Sequence, residues 1–230
     1  MQNKTAILIF ARSAKVESNC KLLHANSAVN KRLHQALYNK TLQTVQETAM
    51  PYFIFDEKKQ TGSYLGEALS NAYQNIFDKG FENVISVGSD CVNLSGKEIL
   101  QAQQLLKQNK NVIGPDARHG AYLIGLNKNN FCKKKLSALR WSTGFVLHDL
   151  LRYFDGFNAQ VQQLGLLSDI NNIGDLIILF KKILVTPFIK FIFLLLLKCN
   201  NFRLITRTSF HKLFFSFSLV LRGPPAFAKI

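Results

Sequence analysis

Acidic residues are scarce in this sequence and absent from its last quarter. The 230 residues include 14 Asp and Glu against 29 Lys and Arg, so the formal net charge is +15. No acidic residue follows Asp175, and the basic residues beyond it lie among Phe and Leu. A nucleic-acid-binding domain would spread or stripe its positive charge over the folded surface. The pattern therefore favours an anionic membrane surface as a partner and argues against a specific nucleic acid.

Cysteine and histidine are also sparse. The 4 Cys residues form no CxxC pair and the 5 His residues show no helical metal spacing, so neither a zinc site nor a disulfide framework is expected. The first apolar run ends at Arg12 and is too short for the core of a signal peptide. We expect a cytoplasmic protein, with peripheral attachment to the inner face of the membrane as the option that the basic end adds.

Hydrophobic residues, in contrast, make up 47% of the chain, which excludes a wholly disordered or collagen-like protein. Short apolar runs that predict buried strands recur at residues 6–10, 52–55, 84–87, 112–113 and 122–126. Polar stretches with helical spacing separate them. The alternation predicts an α/β fold with a doubly wound, mostly parallel sheet, in which ligands bind beyond the carboxyl ends of the strands.

Three helix starts are indicated by side chains suited to capping. Ser95 with Glu98 three residues later forms a capping-box pattern, which predicts a helix from that point. Ser63 is placed to cap the helix that follows it, and Ser142 or Thr143 to cap the helix through residues 146–154.

The composition changes after Leu176, which predicts a domain over residues 1–176 and a basic, apolar C-terminal extension over residues 177–230. Residues 177–197 reach the length of a membrane span only by including three lysines and a proline. Three interpretations stay open: a helix lying in the membrane surface, a helix packed on the sheet with its lysines reaching solvent, and a true span.

The sharpest local signal is Asp90, which follows the apolar run of residues 84–87. A carboxylate just beyond a buried strand is well placed to hold Mg²⁺ or Mn²⁺, because these ions prefer oxygen ligands. The alternative is structural, since Asp in this position also forms turns and caps helices.

Several segments stand in an order that resembles a known family. They are residues 60–67 (QTGSYLGE), 88–94 (GSDCVNL), 114–125 (GPDARHGAYLIG), 141–143 (WST) and 168–176 (SDINNIGDL). Together they resemble the DUF2064-type, GT-A-like glycosyltransferase family, which is related to the nucleotidyltransferases of molybdopterin and coenzyme F420 biosynthesis. The resemblance covers about residues 6–176 and implies a nucleotide-diphospho-sugar transferase-like fold.

The resemblance also implies a metal site. The family's GSDxPxL pattern supplies a metal-binding aspartate, which Asp90 matches, while Val92 replaces the usual proline. Asp169 matches the first acid of a DxDTxEDL-like stretch, and Asn171 replaces the second acid. Asp90 and Asp169 are thus the implied ligands of Mg²⁺ or Mn²⁺, with Asp90 also the implied catalytic residue.

The family's first loop carries basic residues for the donor's phosphates. In this chain Arg12 matches that pattern and Lys21 lies one place from the usual lysine. The glycine turn of the family is lost, and Glu17 in its place would repel a phosphate.

The remaining matches imply residues that line a nucleotide pocket. Residues 60–67 match QxGxxLGE and contribute Gly62, Gly66 and Glu67. Residues 118–125 match DGGYYLxG and contribute Gly120 and Tyr122.

Two departures from that last motif alter its expected chemistry. Arg118 replaces an acid, so either the ligand carries its own negative charge or Asp116 supplies the acid. His119 is a candidate general base, although a lone loop histidine is more often incidental, and Trp141 either stacks on a base or packs in the core. The other histidines show no partner in the sequence.

Two functions follow as expectations. The first is a metal-dependent glycosyl- or nucleotidyl-transferase that uses a nucleotide-activated sugar or a nucleoside triphosphate. The second is a non-catalytic GT-A-like binding or scaffold module at a membrane surface, which the departures in the first loop and at residues 118 and 171 would explain.

Overall fold

The computed structural model describes residues 4–181 and residue 192. The described residues up to Lys181 belong to one compact unit. Most of the segment from residue 177 onward lies outside the described residues, so the interpretations of it as a membrane anchor, a packed helix or a span stay predictions. Within the described part of the chain, no helix has both the length and the apolar character needed to cross a membrane.

Among the described residues, six strands form one mixed sheet in the order β2-β1-β3-β5-β4-β6. The strands are β1 (Thr5–Phe10), β2 (Tyr52–Phe55), β3 (Asn83–Val87), β4 (Asn111–Pro115), β5 (Ala121–Asn127) and β6 (Val161–Gln163). β1 pairs in parallel with β2 and β3, and β4 pairs in parallel with β6. Only β5 is antiparallel to its neighbours β3 and β4. The doubly wound, mostly parallel sheet is therefore confirmed.

Seven α-helices are present in the described residues. They are α1 (Ala14–Cys20), α2 (Ser27–Gln46), α3 (Leu65–Asp78), α4 (Gly96–Lys107), α5 (Lys133–Ser137), α6 (Val146–Asp155) and α7 (Ile173–Lys181). Helix α7 continues through Leu176, the residue that ends the predicted domain.

The core has two layers, because successive residues of a buried strand point to opposite faces of the sheet. Ala6 and Leu8 of β1 belong to a cluster that includes side chains of α3, α5 and α6. Ile7 and Ile9 belong to a second cluster with side chains of α2 and α4. Helices thus cover both faces, which explains why the strands are continuous apolar runs.

The capping predictions had mixed outcomes. The capping box at Ser95 is present, and Glu98 accepts a hydrogen bond from the Ser95 N–H at 2.9 Å. The predicted caps at Ser63 and at Ser142 or Thr143 are wrong, because Tyr64 and Phe145 occupy the N-cap positions of α3 and α6 without a side-chain cap. At α3, the Glu67 carboxylate accepts from the Ser63 N–H at 2.7 Å, so a residue inside the helix satisfies the free donor.

Candidate active site

A cavity of about 660 Å³ opens at the edge of the sheet where β1, β3 and β4 have their carboxyl ends. We refer to this side of the sheet as the carboxyl edge. Six of the nine residues that the family resemblance implies line this cavity: Arg12, Lys21, Asp90, Gly120, Tyr122 and Asp169. Asp116, named from the sequence only as an alternative acid, lines it as well.

Asp90 is placed by the turn that follows β3. A side chain at Gly88 would begin 2.9 Å from the Asp90 Oδ1 atom, so glycine leaves room for the carboxylate. The Asp90 carbonyl accepts a hydrogen bond from the Ile170 N–H at 2.9 Å. This contact, together with the backbone hydrogen bonds of Leu167 to Pro115 and Ala117, brings Asp169 beside Asp90, although the two lie far apart in the sequence.

Asp116 follows β4 and is held by its own loop. Its Oδ1 atom accepts hydrogen bonds from the N–H groups of Arg118, at 2.6 Å, and Gly120, at 2.8 Å. A Cβ atom at Gly120 would lie 2.3 Å from the Asp116 Oδ2 atom, too close for any other residue type without a shift. Gly120 therefore serves the placement of Asp116.

Asp169 is the most perturbed carboxyl group of the cavity. Its Oδ1 atom is buried and has no hydrogen-bond partner among residues 4–181 and 192. Burial, followed by the charges of Asp90 and Asp116, raises the pKa of Asp169 to about 8. The proton or cation that Asp169 needs at neutral pH would relieve the repulsion among the three carboxyl groups.

The two basic side chains Lys21 and Arg12 already have acidic partners in the cavity. Lys21 Nζ lies 2.6 Å from Asp90 Oδ2 and 3.4 Å from Glu17 Oε1. Arg12 Nη1 lies 3.8 Å from the other Glu17 oxygen. Burial lowers the pKa of Lys21, but the charges and hydrogen bonds of Asp90 and Glu17 outweigh it, so the pKa is raised.

Arg118 has a partner that the sequence did not indicate. Its guanidinium group bonds the Asp175 carboxylate, which also accepts from the N–H groups of Asn171 and Asn172 at 2.8 and 3.1 Å. Asp175 thus holds the start of α7 and neutralises Arg118 at the rim of the cavity.

Gly62, Gly66 and Glu67 lie outside the residues that line the cavity. Gly62 has a φ of +146°, a value that side chains rarely allow. A Cβ atom at Gly66 would lie 2.3 Å from Trp141 Cδ1 and 2.4 Å from the Ser137 carbonyl oxygen. The missing side chain at Gly66 therefore makes room for Trp141.

Aromatic side chains form part of the cavity wall. Trp141 packs against the core and donates from Nε1 to the Leu136 carbonyl at 2.9 Å, while one side of it faces the cavity. The Tyr122 hydroxyl donates to the Gly165 carbonyl at 2.9 Å. Burial, more than neighbouring charges, raises the pKa of Tyr122, so its hydroxyl stays protonated at neutral pH. His119 does not line the cavity.

In the described part of the chain, no group of three or more His, Cys, Asp or Glu side chains is arranged to hold a metal ion. The three cysteines there, Cys20, Cys91 and Cys132, are free. Two carboxylates, Asp90 and Asp169, still suit a hard cation, because Mg²⁺ often takes only one or two carboxylates and fills its other positions with water and substrate phosphates.

Sequence reasoning missed the residues that hold the first loop. Glu57 accepts two hydrogen bonds from Ser13, from its N–H and its hydroxyl, each at 2.7 Å. Those bonds lower the pKa of Glu57. His34 and Asn30 of α2 are buried and bond the backbone around Lys21. The sequence offered no signal for these pairings, apart from the polar residues Asn30 and His34 on the buried face of α2.

Comparisons with known proteins bear on the family and the fold of this chain. Residues 24–143, just over half of the chain, match the model of the family DUF2064, described as "Uncharacterized protein conserved in bacteria". A search of curated proteins gave no match. A solved structure from Desulfovibrio desulfuricans G20, described as a candidate nucleotide-diphospho-sugar transferase, is similar with a TM-score of 0.73 and 23% identity, covering 84% of this chain and 94% of that one.

More distant solved structures have lower scores. A 4-diphosphocytidyl-2C-methyl-D-erythritol synthase from Anaerococcus prevotii DSM 20548 gives a TM-score of 0.49 at 14% identity, with coverage of 77% and 97%. A CMP:2-keto-3-deoxy-manno-octonic acid synthetase in complex with CTP gives 0.43 at 11% identity, with coverage of 78% and 98%. The D. desulfuricans structure shows that this chain has the nucleotide-diphospho-sugar transferase fold.

Proposed function

The chain belongs to the DUF2064 family, and we propose that it is a metal-dependent transferase that takes a nucleotide-activated donor at the carboxyl edge. The donor is a nucleotide sugar or a nucleoside triphosphate. One observation carries the proposal: Asp90, Asp116, Asp169, Arg12 and Lys21 line a single cavity beyond the strand ends. This is where ligands bind in open α/β sheets.

The size and wall of the cavity support a ligand of that class. A volume of about 660 Å³ falls within the range of small-molecule sites, roughly 300 to 1,000 Å³. The wall combines aromatic and apolar side chains such as Phe10, Leu65 and Trp141 with charged groups. An apolar surface suits a base or sugar ring, and the charged groups suit its phosphates.

In this proposal Lys21 and Arg12 bind the phosphates of the donor. Lys21 is paired with Asp90 and Glu17, and Arg12 is near Glu17. A diphosphate entering the cavity offers these cations more negative charge than the carboxylates do, so they exchange partners and orient the donor. Asp90 and Asp169 are then left free to bind a cation.

Asp90 and Asp169 would hold Mg²⁺ or Mn²⁺ between them. The fit is indicated by the buried Oδ1 atom of Asp169, which has no partner in the described residues, and by the burial and the neighbouring charges of Asp90 and Asp116 that raise the pKa of Asp169. When bound, the ion would neutralise the charge that develops on the departing phosphate. The chain's own contribution is to fix the two carboxylates and to keep the donor phosphates against Lys21.

The test is thermal stability of the full chain against a panel of nucleoside triphosphates and nucleotide sugars, each with and without Mn²⁺. A ligand at a hundred times its dissociation constant stabilises a fold by about 2.7 kcal/mol, which is measurable as a higher melting temperature. We expect a metal-dependent shift that Asp90→Asn abolishes. The matched control is Asp155→Asn, which removes an equal charge from the exposed end of α6.

Retention of the metal-dependent shift in Asp90→Asn would contradict the proposed site. If no ligand raises the melting temperature of the wild-type chain, the result favours the alternative function, a GT-A-like binding or scaffold module without catalysis.

A further inference from the structure

We propose that Asn30, assisted by His34, is the positioning residue that aims Lys21 into the cavity. The inference rests on the proposed function, because it assigns Lys21 to the donor phosphates. Asn30 touches neither the cavity nor the carboxylates, so its action passes through the backbone that carries Lys21.

Asn30 sits in the first turns of α2 and is 2% exposed. Its side-chain oxygen accepts from the N–H groups of Leu23, at 2.8 Å, and His24, at 3.1 Å. Its amide nitrogen donates to the carbonyls of Ser18, at 2.7 Å, and Lys21, at 3.0 Å. An asparagine side chain has two donors and two acceptor sites, so all of its capacity is used on the segment 18–24.

These four bonds fall on both sides of Lys21. The two carbonyls belong to the end of α1 and to Lys21 itself, and the two N–H groups belong to the residues just beyond. The backbone at Lys21 has left the helical conformation, with φ −121° and ψ 122°. Asn30 therefore supplies hydrogen-bond partners to backbone groups that lack them where α1 ends. These bonds fix the backbone at Lys21 and thereby the direction in which its side chain points.

His34, one turn further along α2, adds a second contact to the same carbonyl. Its Nε2 atom lies 2.9 Å from the Lys21 oxygen, and since a carbonyl only accepts, Nε2 carries the proton. His34 is 5% exposed, and the neighbouring Leu23 side chain is fully buried. Lys21 thus extends from an anchored backbone, and its ammonium group reaches Asp90 Oδ2 at 2.6 Å.

Anchoring matters because a lysine side chain has four rotatable bonds and loses rotamer freedom when it is held in place. When the backbone at Lys21 is fixed, only the side chain still loses conformational freedom on binding. The smaller entropy cost favours its contact with an anion in the cavity. A purely structural role for Asn30 would stabilise the α1–α2 turn without any effect on the Lys21 ammonium group. Two measurements separate these roles.

The first measurement needs no ligand. Acetylation of lysines by an N-hydroxysuccinimide ester, followed by mass spectrometry, reports the neutral and accessible fraction of each amine. The Lys21 ammonium group lies 2.6 Å from Asp90 Oδ2 and 3.4 Å from Glu17 Oε1, and its side chain is only 26% exposed, so it should react slowly in the wild type. In Asn30→Ala we expect the rate at Lys21 to rise about fivefold relative to the exposed Lys59.

The matched control for that measurement is Asn127→Ala. Asn127 is also a buried asparagine that bonds neighbouring backbone and side chains, but it lies at the opposite edge of the sheet. It should leave the Lys21 rate unchanged. An unchanged rate in Asn30→Ala, or an equal rise in Asn127→Ala, would overturn the positioning role.

The second measurement is the affinity of the full chain for inorganic pyrophosphate with Mg²⁺, the part common to both donor classes. Asn30→Ala should weaken binding about tenfold, and the double variant Asn30→Ala/Lys21→Met should bind no more weakly than Lys21→Met alone. Additive losses would overturn the role, because Asn30 would then act independently of Lys21.

His34 keeps the test usable if Asn30→Ala fails to fold. His34→Leu removes the N–H that reaches the Lys21 carbonyl, and His34→Gln keeps a donor there. We expect about threefold weaker pyrophosphate binding in His34→Leu and recovery in His34→Gln. Equal behaviour of the two variants would contradict the role. If wild-type protein does not bind pyrophosphate, the proposed function fails, while the acetylation rates still decide whether Asn30 places Lys21.

Discussion

The two ends of the strands hold different kinds of polar side chains, neutral amides at one edge of the sheet and acids at the other. At the amino edge, where β1, β3 and β4 begin, three asparagines lie together: Asn83, Asn111 and Asn127. The Asn127 side chain donates to the Asn83 oxygen at 3.0 Å, and the Asn127 N–H donates to the Asn111 oxygen at 3.0 Å. The buried Asn111 Nδ2 atom has no partner among the residues that the structure describes. At the carboxyl edge three aspartates face one another, and the Asp169 Oδ1 atom has no partner in the described residues.

The two edges differ in the charge of these side chains, and charge is what a cation or a phosphate would respond to. Neutral amides can satisfy one another, because each carries both donors and acceptors. Carboxylates only accept when ionised, and burial together with the charges of Asp90 and Asp116 raises the pKa of Asp169 and so weakens the fold at neutral pH. A protein that retains such a cluster needs a proton, a cation or a ligand there, and perturbed groups of this kind concentrate at functional sites.

The largest effect should come from replacing Asp169, the acid at the carboxyl edge that must take up a proton when the chain folds at neutral pH. The folded-state pKa of Asp169 is about 8, above the ordinary value for Asp. As the pH rises, the unfolded chain therefore loses this proton at a lower pH than the folded protein does. Stability should therefore fall as the pH rises from about 4 to about 8. Asp169→Asn should raise the free energy of unfolding by about 2 kcal/mol at pH 7 and flatten this pH dependence.

Urea unfolding at several pH values in the presence of a chelator measures both quantities. Asp155→Asn, the same change at an exposed position, should leave the slope as in the wild type. An Asp169→Asn protein that is less stable than the wild type at pH 7 would contradict the account of strained carboxyl groups.

At the amino edge, a substitution is expected to lower the free energy of unfolding. Asn127→Ala leaves the Asn83 oxygen and the Asn129 N–H without the contacts they make to the Asn127 side chain. Breaking them should lower the free energy of unfolding by about 1.5 kcal/mol. The same variant should bind pyrophosphate and Mg²⁺ with unchanged affinity, and a loss of that affinity would show that the two edges are not separate in function.

The smallest effect concerns Glu17, which lies 3.4 Å from the Lys21 ammonium group and 3.8 Å from the Arg12 guanidinium group. Glu17→Gln keeps the shape and removes the charge that competes with a phosphate. We expect the affinity for pyrophosphate to increase about threefold, with the largest gain at low ionic strength. Calorimetric titration at two salt concentrations measures it, and weaker binding would mean that Glu17 serves to hold Lys21 in position.

The sequence predicted the fold better than the site for a physical reason. Strands such as β1 and β3 are apolar runs buried on both faces, so their pattern is local. The edge strand β6 was missed because Val161–Gln163 is short and largely exposed. Pairings such as Lys21 with Asp90 depend on where distant loops meet, which no local pattern encodes.

Family resemblance supplied part of what local patterns could not. It directed attention to Asp90 and Asp169, which the Ile170–Asp90 backbone bond brings side by side. It also pointed to Gly66, whose missing side chain is explained by Trp141. Asn30 had no such signal, because its role depends on a turn that only the structure reveals.

The most direct test of the central claim is hydrogen–deuterium exchange of the full chain with the best ligand of the nucleotide panel and Mn²⁺. Exchange of backbone amides reports where a bound ligand stabilises the fold. We predict slower exchange around Ala11–Leu23 and Gly88–Leu94 at the carboxyl edge, and no change around Asn127–Phe131 at the amino edge. Protection confined to any other part of the chain, or none with a ligand that binds, would contradict the assignment of this cavity as the donor site.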